Sequence, residues 1–219
     1  MLPGPVRWVL TRELDDAKPL AEQLGLEVVP CIERVDLPWP PWPRSPLVFV
    51  TSAAVARRLL SLTAPPGTRF AALKPATAAL LRHATVTAEG GAVALAEAVK
   101  AWAPAGTPLQ ILYPTSDKGL EQPEQAEAVR ILETVGTVHR HAVYATRAPP
   151  GLAAALARHR GDGFVFFSPS AVENFRAAGG EASRVVCVGA STLRAWGGAP
   201  PEPLLATPET VRKVLEENA

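Results

Sequence analysis

Two stretches of this chain follow one design. Phe166-Phe167-Ser168-Pro169-Ser170-Ala171-Val172 and Phe49-Val50-Thr51-Ser52-Ala53-Ala54-Val55 each run from large apolar residues into a hydroxyl-bearing turn and on into an amphipathic segment, with Ser168 standing 117 positions after Thr51. A second pair follows at nearly the same offset. Arg69 to Thr77 and Arg184 to Thr192 lie 115 positions apart, and each ends on a threonine. Gly25 and Gly136 form a third match, each ahead of an extended segment. A continuously apolar run followed at once by a helix start reads as a strand of a parallel sheet, because helices cover both of its faces. Ser168 or Ser170 suits the helix cap, and Pro169 is tolerated in a first turn, where its missing N–H has no helical partner. Self-similarity at this period indicates a duplicated domain rather than a solenoid.

The rest of the chain alternates in the same way. Val6 to Leu10 is an expected strand, and Leu14, Ala17, Leu20, Ala21 and Leu24 recur at helical spacing up to Gly25. Glu27 to Val35 reads as one strand. Leu37 to Pro46 holds five prolines around Trp39 and Trp42. It reads as a semi-rigid linker or inter-domain strap, since proline cannot donate to a ladder and favours extended geometry. It also has the composition of a ligand for a proline-binding module. Strands are expected at 47–50, 69–73, 85–87, 109–113, 137–146, 164–167 and 184–188. Helices are expected at 53–62, 78–82, 93–102, 124–133, 152–158 and 209–217, with one more after Thr192. Strands alternating with helices indicate an α/β protein with parallel sheets.

Charge and cysteine content exclude several classes. Lys and Arg number 22 against 21 Asp and Glu, a net charge of +1, so no global basic field draws nucleic acid. An acidic ligand must then be met by local groups. Cys31 and Cys187 each sit in an apolar run with no metal-binding spacing, as expected for buried reduced thiols in a cytoplasmic protein. Met1 to Pro5 lacks a signal segment, and no apolar run approaches the ~20 residues that span a bilayer. Arg far outnumbers Lys and proline is abundant, a bias found in heat-adapted proteins and in GC-rich genomes alike. No Gly-x-Gly-x-x-Gly or Gly-Lys-Ser/Thr loop is present, which counts against a nucleotide-dependent transferase.

In open α/β sheets, ligands sit off the carboxyl ends of the strands, where the hydroxyl-bearing turns lie. Helix starts there offer backbone N–H groups and a positive dipole end. Several together suit a ligand rich in carboxylates, and two matched domains suggest a cleft between them, a common small-molecule site. The same turns also serve as ordinary capped strand-to-helix connections with no ligand.

Several segments, in order, resemble the uroporphyrinogen-III synthase family over nearly the whole chain. They are Val9-Leu10-Thr11-Arg12, Val48-Phe49-Val50-Thr51-Ser52, Pro75-Ala76-Thr77, Leu112-Tyr113-Pro114, Val143-Tyr144-Ala145-Thr146, Phe166 to Val172 and Val188-Gly189-Ala190-Ser191-Thr192. The resemblance implies two flavodoxin-like parallel-sheet domains joined by a two-stranded connection, with a cleft between them. Residues 1–34 and 147–219 would form a discontinuous domain and 37–143 the other, with crossovers near 34–37 and 143–147. It implies a monomeric lyase without a cofactor. Such an enzyme cyclises the linear tetrapyrrole hydroxymethylbilane to uroporphyrinogen III, losing water and inverting ring D through a spiro intermediate.

The resemblance also implies roles for residues. Tyr144 matches the family tyrosine proposed as the acid that helps hydroxide leave, and it equally suits a plain strand tyrosine at the domain joint. A phenol, with pKa about 10, is protonated and able to donate at neutral pH. Arg12, Thr51, Ser52, Thr77, Lys118, Ser168, Pro169, Ser170, Ala171, Gly189, Ser191 and Thr192 match or replace substrate-binding positions. Thr77 and Thr192 equally suit helix capping, and Arg12 a surface ion pair. Lys74 stands where the family has glycine, Ala54 where asparagine is common, and Ser116-Asp117-Lys118 replaces an Arg-Gly turn. Lys74 and Lys118 would then supply carboxylate contacts in compensation. His139 and His141 share a strand face without acidic or cysteine companions, so no metal site is expected. His83 and His159 are expected near helix C-termini, where positive charge is favourable. A non-catalytic binding or regulatory protein on the same fold is the competing reading.

Overall fold

A computed structural model describes residues 6–81 and 83–218; Met1 to Pro5, read above for a signal, and Arg82, at the end of the expected 78–82 helix, lie outside the described residues. In chain order the first elements are β1 (Trp8–Leu10), α1 (Leu14–Leu24), β2 (Glu27–Val28), β3 (Glu33–Asp36), β4 (Leu47–Val50), α2 (Ala53–Leu59), β5 (Arg69–Leu73), α3 (Ala76–Leu80), β6 (Val86–Ala88) and α4 (Ala92–Trp102). There follow β7 (Leu109–Ser116), a 3₁₀ turn (Lys118–Glu121), α5 (Pro123–Glu133), β8 (Gly136–Arg147), α6 (Leu152–Ala157), β9 (Gly163–Phe166), α7 (Pro169–Ala177), β10 (Arg184–Val188), α8 (Ala190–Trp196), β11 (Pro203–Ala206) and α9 (Val211–Glu217). The chain divides into two compact units, Met1–Arg34 with Thr146–Ala219, and Val35–Ala145.

The first unit is built on a parallel sheet ordered β11-β10-β9-β1-β2. Its central strands β1 and β9 are apolar and buried throughout because both faces are covered. Phe164, Phe166, Val185 and Cys187 pack on α6, α7 and α8, while Val165, Val186 and Leu10 pack on α1 and α9. The Phe175 ring centroid lies 4.8 Å from Phe164 and 5.1 Å from Phe166, and Trp196 lies 5.6 Å from Phe166. Burying each such ring contributes about 1.5–3 kcal/mol. Counted within this unit, the strand order is 2-1-3-4-5 read from β2, and it reverses between β1 and β9.

The second unit's sheet is ordered β3-β8-β7-β4-β5-β6. Leu47, Phe49, Ile111 and Tyr113 face α4 and α5; Val48, Val50 and Val143 face α2 and the tryptophans of the proline-rich segment. The sequence repeat pairs β4 with β9 and β5 with β10. On that pairing β6-β5-β4-β7-β8 repeats β11-β10-β9-β1-β2 strand for strand, so the two units share a sheet order and enter it at different points of the chain.

The structure departs from the sequence reading in several places. Glu27 to Val35 is not one strand: β2 belongs to the first sheet and β3 to the second. Pro30 has no N–H, and Cys31 N–H instead donates to the Thr11 carbonyl at 2.9 Å. Strand β7 does not stop at Tyr113. It continues through Pro114, which lies past the β4 ladder that ends at Leu112, so no ladder bond to β4 is forfeited. β11 was not among the expected strands; it lies at the sheet edge, where Pro203 is tolerated. Gly25 and Gly136 are not equivalent. Gly25 closes α1 at φ 65°, whereas Gly136 opens β8, where a Cβ would lie 2.2 Å from the Leu109 carbonyl oxygen. α2 ends at Leu59 rather than Leu62.

The proline-rich segment is bound within the second unit. The Trp39 and Trp42 rings lie 5.5 Å apart, tilted by 37°, against that unit's core, Arg58 lies 5.5 Å over Trp39, and Arg58 donates to the Leu37 carbonyl at 2.6 Å and to that of Val143. Among the described residues no helix is long and apolar enough to cross a membrane.

Candidate functional site

In the first unit the chain leaves β1 at Thr11-Arg12, β9 at Phe167-Ser168 and β10 at Gly189, all at strand carboxyl ends. A recess of about 370 Å³ opens there, lined by Arg12, Glu13, Asp16, Ile32, Arg34, Phe167, Ser168, Ala171, Val188, Gly189 and Pro208. It lies where the strand order reverses, between β1 and β9, the position at which open α/β sheets take ligands. Arg12, Ser168, Ala171 and Gly189 of the expected residues meet here. Ser168 Oγ caps α7 by accepting from Ala171 N–H at 3.3 Å, which leaves its hydroxyl proton available to donate. Gly189 turns the chain into α8 at φ 89°, a conformation L side chains rarely adopt. The Arg12 guanidinium lies 5.5 Å over the Phe167 ring and 3.6 Å from Asp16.

Sequence reading missed Glu13, Asp16 and Arg34. Arg34 pairs with Glu13 and lies 3.7 Å from Asp16, so Asp16 is shared between two guanidiniums. Burial pushes the Glu13 carboxyl above its ordinary range, Arg34 opposes the rise, and Asp16 adds to it. Pro169, Ser170, Ser191 and Thr192 do not line the recess. Thr192 is 1% exposed, facing the core rather than solvent.

In the second unit Thr51 and Ser52 follow β4. Ser52 caps α2, accepting from Ala54 N–H at 3.2 Å, and its oxygen lies 3.3 Å from the Tyr144 hydroxyl. Asp117 N–H donates to the Tyr144 carbonyl at 2.9 Å, which sets the turn carrying Lys118 beside this strand. Arg140 holds the same turn by donating to the carbonyls of Gly119 at 3.1 Å and Leu120 at 2.9 Å. Tyr113 is wholly buried, and burial pushes its phenol up. Thr51 opposes that rise, though its contact falls short of hydrogen-bond geometry. Thr77 is 5% exposed in the first turns of α3, and Lys74 is exposed at the end of β5.

The histidines have other partners. His139 Nε2 lies 3.0 Å from Gln110, and His141 is exposed. His159 is buried just past the C-terminus of α6, with its backbone N–H donating to the Leu156 carbonyl at 2.9 Å, and two carboxylates flank its ring, Asp162 at 2.9 Å and Glu27 at 3.3 Å. Among the described residues no group of three His, Cys, Asp or Glu side chains is placed to hold a metal ion.

Each unit thus brings hydroxyls and a helix start to the carboxyl ends of a parallel sheet, and the first adds arginines. These features define a class: α/β proteins with hydroxyl-bearing turns at the carboxyl ends of parallel sheets. The family model described as uroporphyrinogen-III synthase HemD matches residues 18–203. The chain belongs to the uroporphyrinogen-III synthase family. Among solved structures, uroporphyrinogen-III synthetase from Helicobacter pylori is 17% identical over 97% of each chain, with a TM-score of 0.69. A mutant uroporphyrinogen III synthase from Thermus thermophilus is 16% identical over 97% of this chain and 96% of that one, with a TM-score of 0.54. At these identities the likeness shows a shared fold. No curated protein matches the chain.

Proposed function

We propose that the chain is a uroporphyrinogen-III synthase of the tetrapyrrole and heme pathway, acting as a cyclising hydro-lyase. The observation that carries this reading is the family match over residues 18–203. The substrate is the linear tetrapyrrole hydroxymethylbilane. Loss of its hydroxyl gives an azafulvene. Attack at the substituted carbon of ring D gives a spiro intermediate, which fragments and recloses with the ring inverted. No step requires a redox or group-transfer cofactor.

Tyr144 is the proposed acid, oriented by Ser52 at 3.3 Å. Acid help of this kind is typically worth about 10²–10⁴-fold. Holding ring D for attack at its hindered carbon supplies the remainder, since positioning lowers a barrier without new chemistry. The substrate carboxylates are met by Arg12, Ser168 and Gly189 in one flavodoxin-like domain and by Thr51, Ser52 and Lys118 in the other. Pro169, Ser170, Ala171, Ser191 and the backbone around Thr77 and Thr192 complete these turns. The hydroxyl-bearing turn and helix start that each unit carries at its strand ends support a substrate held by both domains, with crossovers near 34–37 and 143–147. The enzyme is read as a cytoplasmic monomer.

The test is a coupled assay. Freshly made hydroxymethylbilane is fed to the protein, and the oxidised products are separated by isomer. Type III product is expected. Type I product alone, which forms without an enzyme, overturns the reading.

A further inference from the structure

Tyr144 lies out of phase with the strand that carries it. Successive side chains of a strand point to opposite faces. On β8, Val138 packs on the cluster that contains Tyr113, and the Arg140 guanidinium lies 5.9 Å over the Tyr113 ring. A period of two puts Tyr144 on that same face. It lies on the other one. Val143 and Tyr144 are consecutive, yet both pack on the cluster of Val50, Val55 and Leu59, and the Tyr144 hydroxyl reaches Ser52 Oγ at 3.3 Å. The cause is a β-bulge. Thr115 lies opposite Ala142 and Ser116 opposite Tyr144, so Val143 is an extra residue in the ladder with β7. Bulges are rare in parallel pairs, and one of their uses is to re-aim a side chain.

We infer that Arg58 is a positioning residue for Tyr144, acting by locking this bulge. The inference rests on the proposal above that Tyr144 is the acid, and it adds the residue that aims the phenol.

The peptide groups on either side of the Tyr144 Cα are both held. After it, Asp117 N–H donates to the Tyr144 carbonyl at 2.9 Å. Before it, the Val143 carbonyl accepts from Leu37 N–H at 2.9 Å and from one terminal nitrogen of Arg58. The other terminal nitrogen of Arg58 donates to the Leu37 carbonyl at 2.6 Å. One planar fork thus ties the bulged residue to the segment that follows β3, and a bulge left without such partners is free to slip back into register. The fork is itself well seated. Its side chain is only 19% exposed, lies 5.5 Å over the Trp39 ring and has Asp36 at 3.7 Å from Nε. Ser52 caps the start of α2 and Arg58 sits in its last turn. A single short helix therefore carries both the hydroxyl that the phenol meets and the guanidinium that fixes the backbone behind it.

The experiment uses the full chain. Steady-state rates with hydroxymethylbilane are measured for the wild type, Arg58→Gln, Arg58→Lys, Tyr144→Phe and the Arg58→Gln/Tyr144→Phe double variant. Arg58→Gln is expected to lower kcat by about ten- to hundredfold with KM within about threefold, since small misplacements of a reacting group cost that much. Arg58→Lys keeps a cation and one donor but loses the fork, so it is expected to recover part of kcat. In the Tyr144→Phe background, Arg58→Gln is expected to change kcat by less than about twofold, because a residue that acts only by aiming the phenol has nothing left to aim. Tyr113 and Tyr144 are the two tyrosines of the chain, so fluorotyrosine labelling gives two fluorine NMR signals, assigned with Tyr113→Phe and Tyr144→Phe. Arg58→Gln should shift or broaden the Tyr144 signal more than that of Tyr113. Should Arg58→Gln fail to fold, Arg58→Lys replaces it in the same cycle and spectra.

A wild type that makes only type I product overturns the synthase reading, while the fluorine signals still decide whether Arg58 aims Tyr144. Type III product with a fully active Tyr144→Phe removes the acid, and the catalytic role of Arg58 with it. With type III product and a slow Tyr144→Phe, three results overturn the assignment of Arg58 alone. They are Arg58 variants with kcat within about twofold of wild type, an equal fall in kcat with and without the Tyr144 phenol, and an unmoved Tyr144 signal.

Discussion

Ser52 Oγ lies 3.3 Å from the Tyr144 hydroxyl, although Ser52 follows β4 and Tyr144 lies in β8, with β7 between them in the sheet. The contact joins a helix cap to the proposed acid. Ser52 already accepts from Ala54 N–H, so its position is fixed by α2 before any substrate arrives. Tyr144→Phe removes the phenol and leaves the ring in place. It is expected to lower kcat by about 10²-fold or more while KM changes by less than about threefold, because the lost group acts on the leaving hydroxide rather than on binding. Steady-state rates with hydroxymethylbilane check this, and full activity would remove Tyr144 as the acid.

Ser52 and Ser168 are both caps, and only one touches Tyr144. Ser52→Ala and Ser168→Ala are each expected to cost about 0.5–2 kcal/mol of stability, whereas glycine at either site costs only a few tenths. Urea or thermal unfolding followed by circular dichroism measures the loss. Ser52→Ala, and Ser52→Gly with it, should in addition slow turnover, since both lose the hydroxyl that orients Tyr144. An equal effect of the Ser52 and Ser168 variants on kcat would contradict the orienting role.

Lys74 at the end of β5 and Lys118 in the 3₁₀ turn stand where the family has smaller or arginine-bearing turns. Converting both to Ala is expected to raise the KM for hydroxymethylbilane by about tenfold. An unchanged KM would show that other groups meet the substrate carboxylates.

Much of the fold was readable where the physics is local. Leu47–Val50 and Gly163–Phe166 are buried on both faces, as central strands of a covered parallel sheet are, and the turn residues that follow each run separate it from a buried helix. Gly25 and Ser168 mark helix ends because their backbone and side-chain chemistry has few other uses. The misreadings were nonlocal. Whether Pro114 ends a strand depends on how far β4 runs beside it, and whether Pro203 sits in one depends on its strand being an edge. The Arg34–Glu13 pair spans 21 residues that belong to two different elements, so no spacing rule exposes it. Hydroxyl orientation is equally hidden: Thr51 and Thr192 look alike as letters after a strand, yet Thr192 faces the core and Thr51 is half-buried beside Tyr113.

The two thiols give a prediction that needs no substrate. Cys31 and Cys187 are buried, and burial pushes their pKa values up to about 12 and about 11 from an ordinary 9.0, with Arg176 opposing the rise at Cys187. A thiolate is the reactive form, so the folded protein at pH 8 should react with iodoacetamide far more slowly than the same protein in denaturant, where both thiols label. The sign of the linkage follows from proton counts. Between pH 9 and 11 the unfolded chain has released protons that the folded chain still holds, so the unfolded state binds fewer protons and stability falls as pH rises through that window. Cys31→Ala with Cys187→Ala should flatten this part of the alkaline stability profile while lowering stability at neutral pH, because both sulfurs fill one apolar core with Phe164 and Phe166. Urea unfolding at about pH 7.5 and about pH 10 separates the two effects. A profile as steep in the double variant as in the wild type would assign the alkaline loss to other groups.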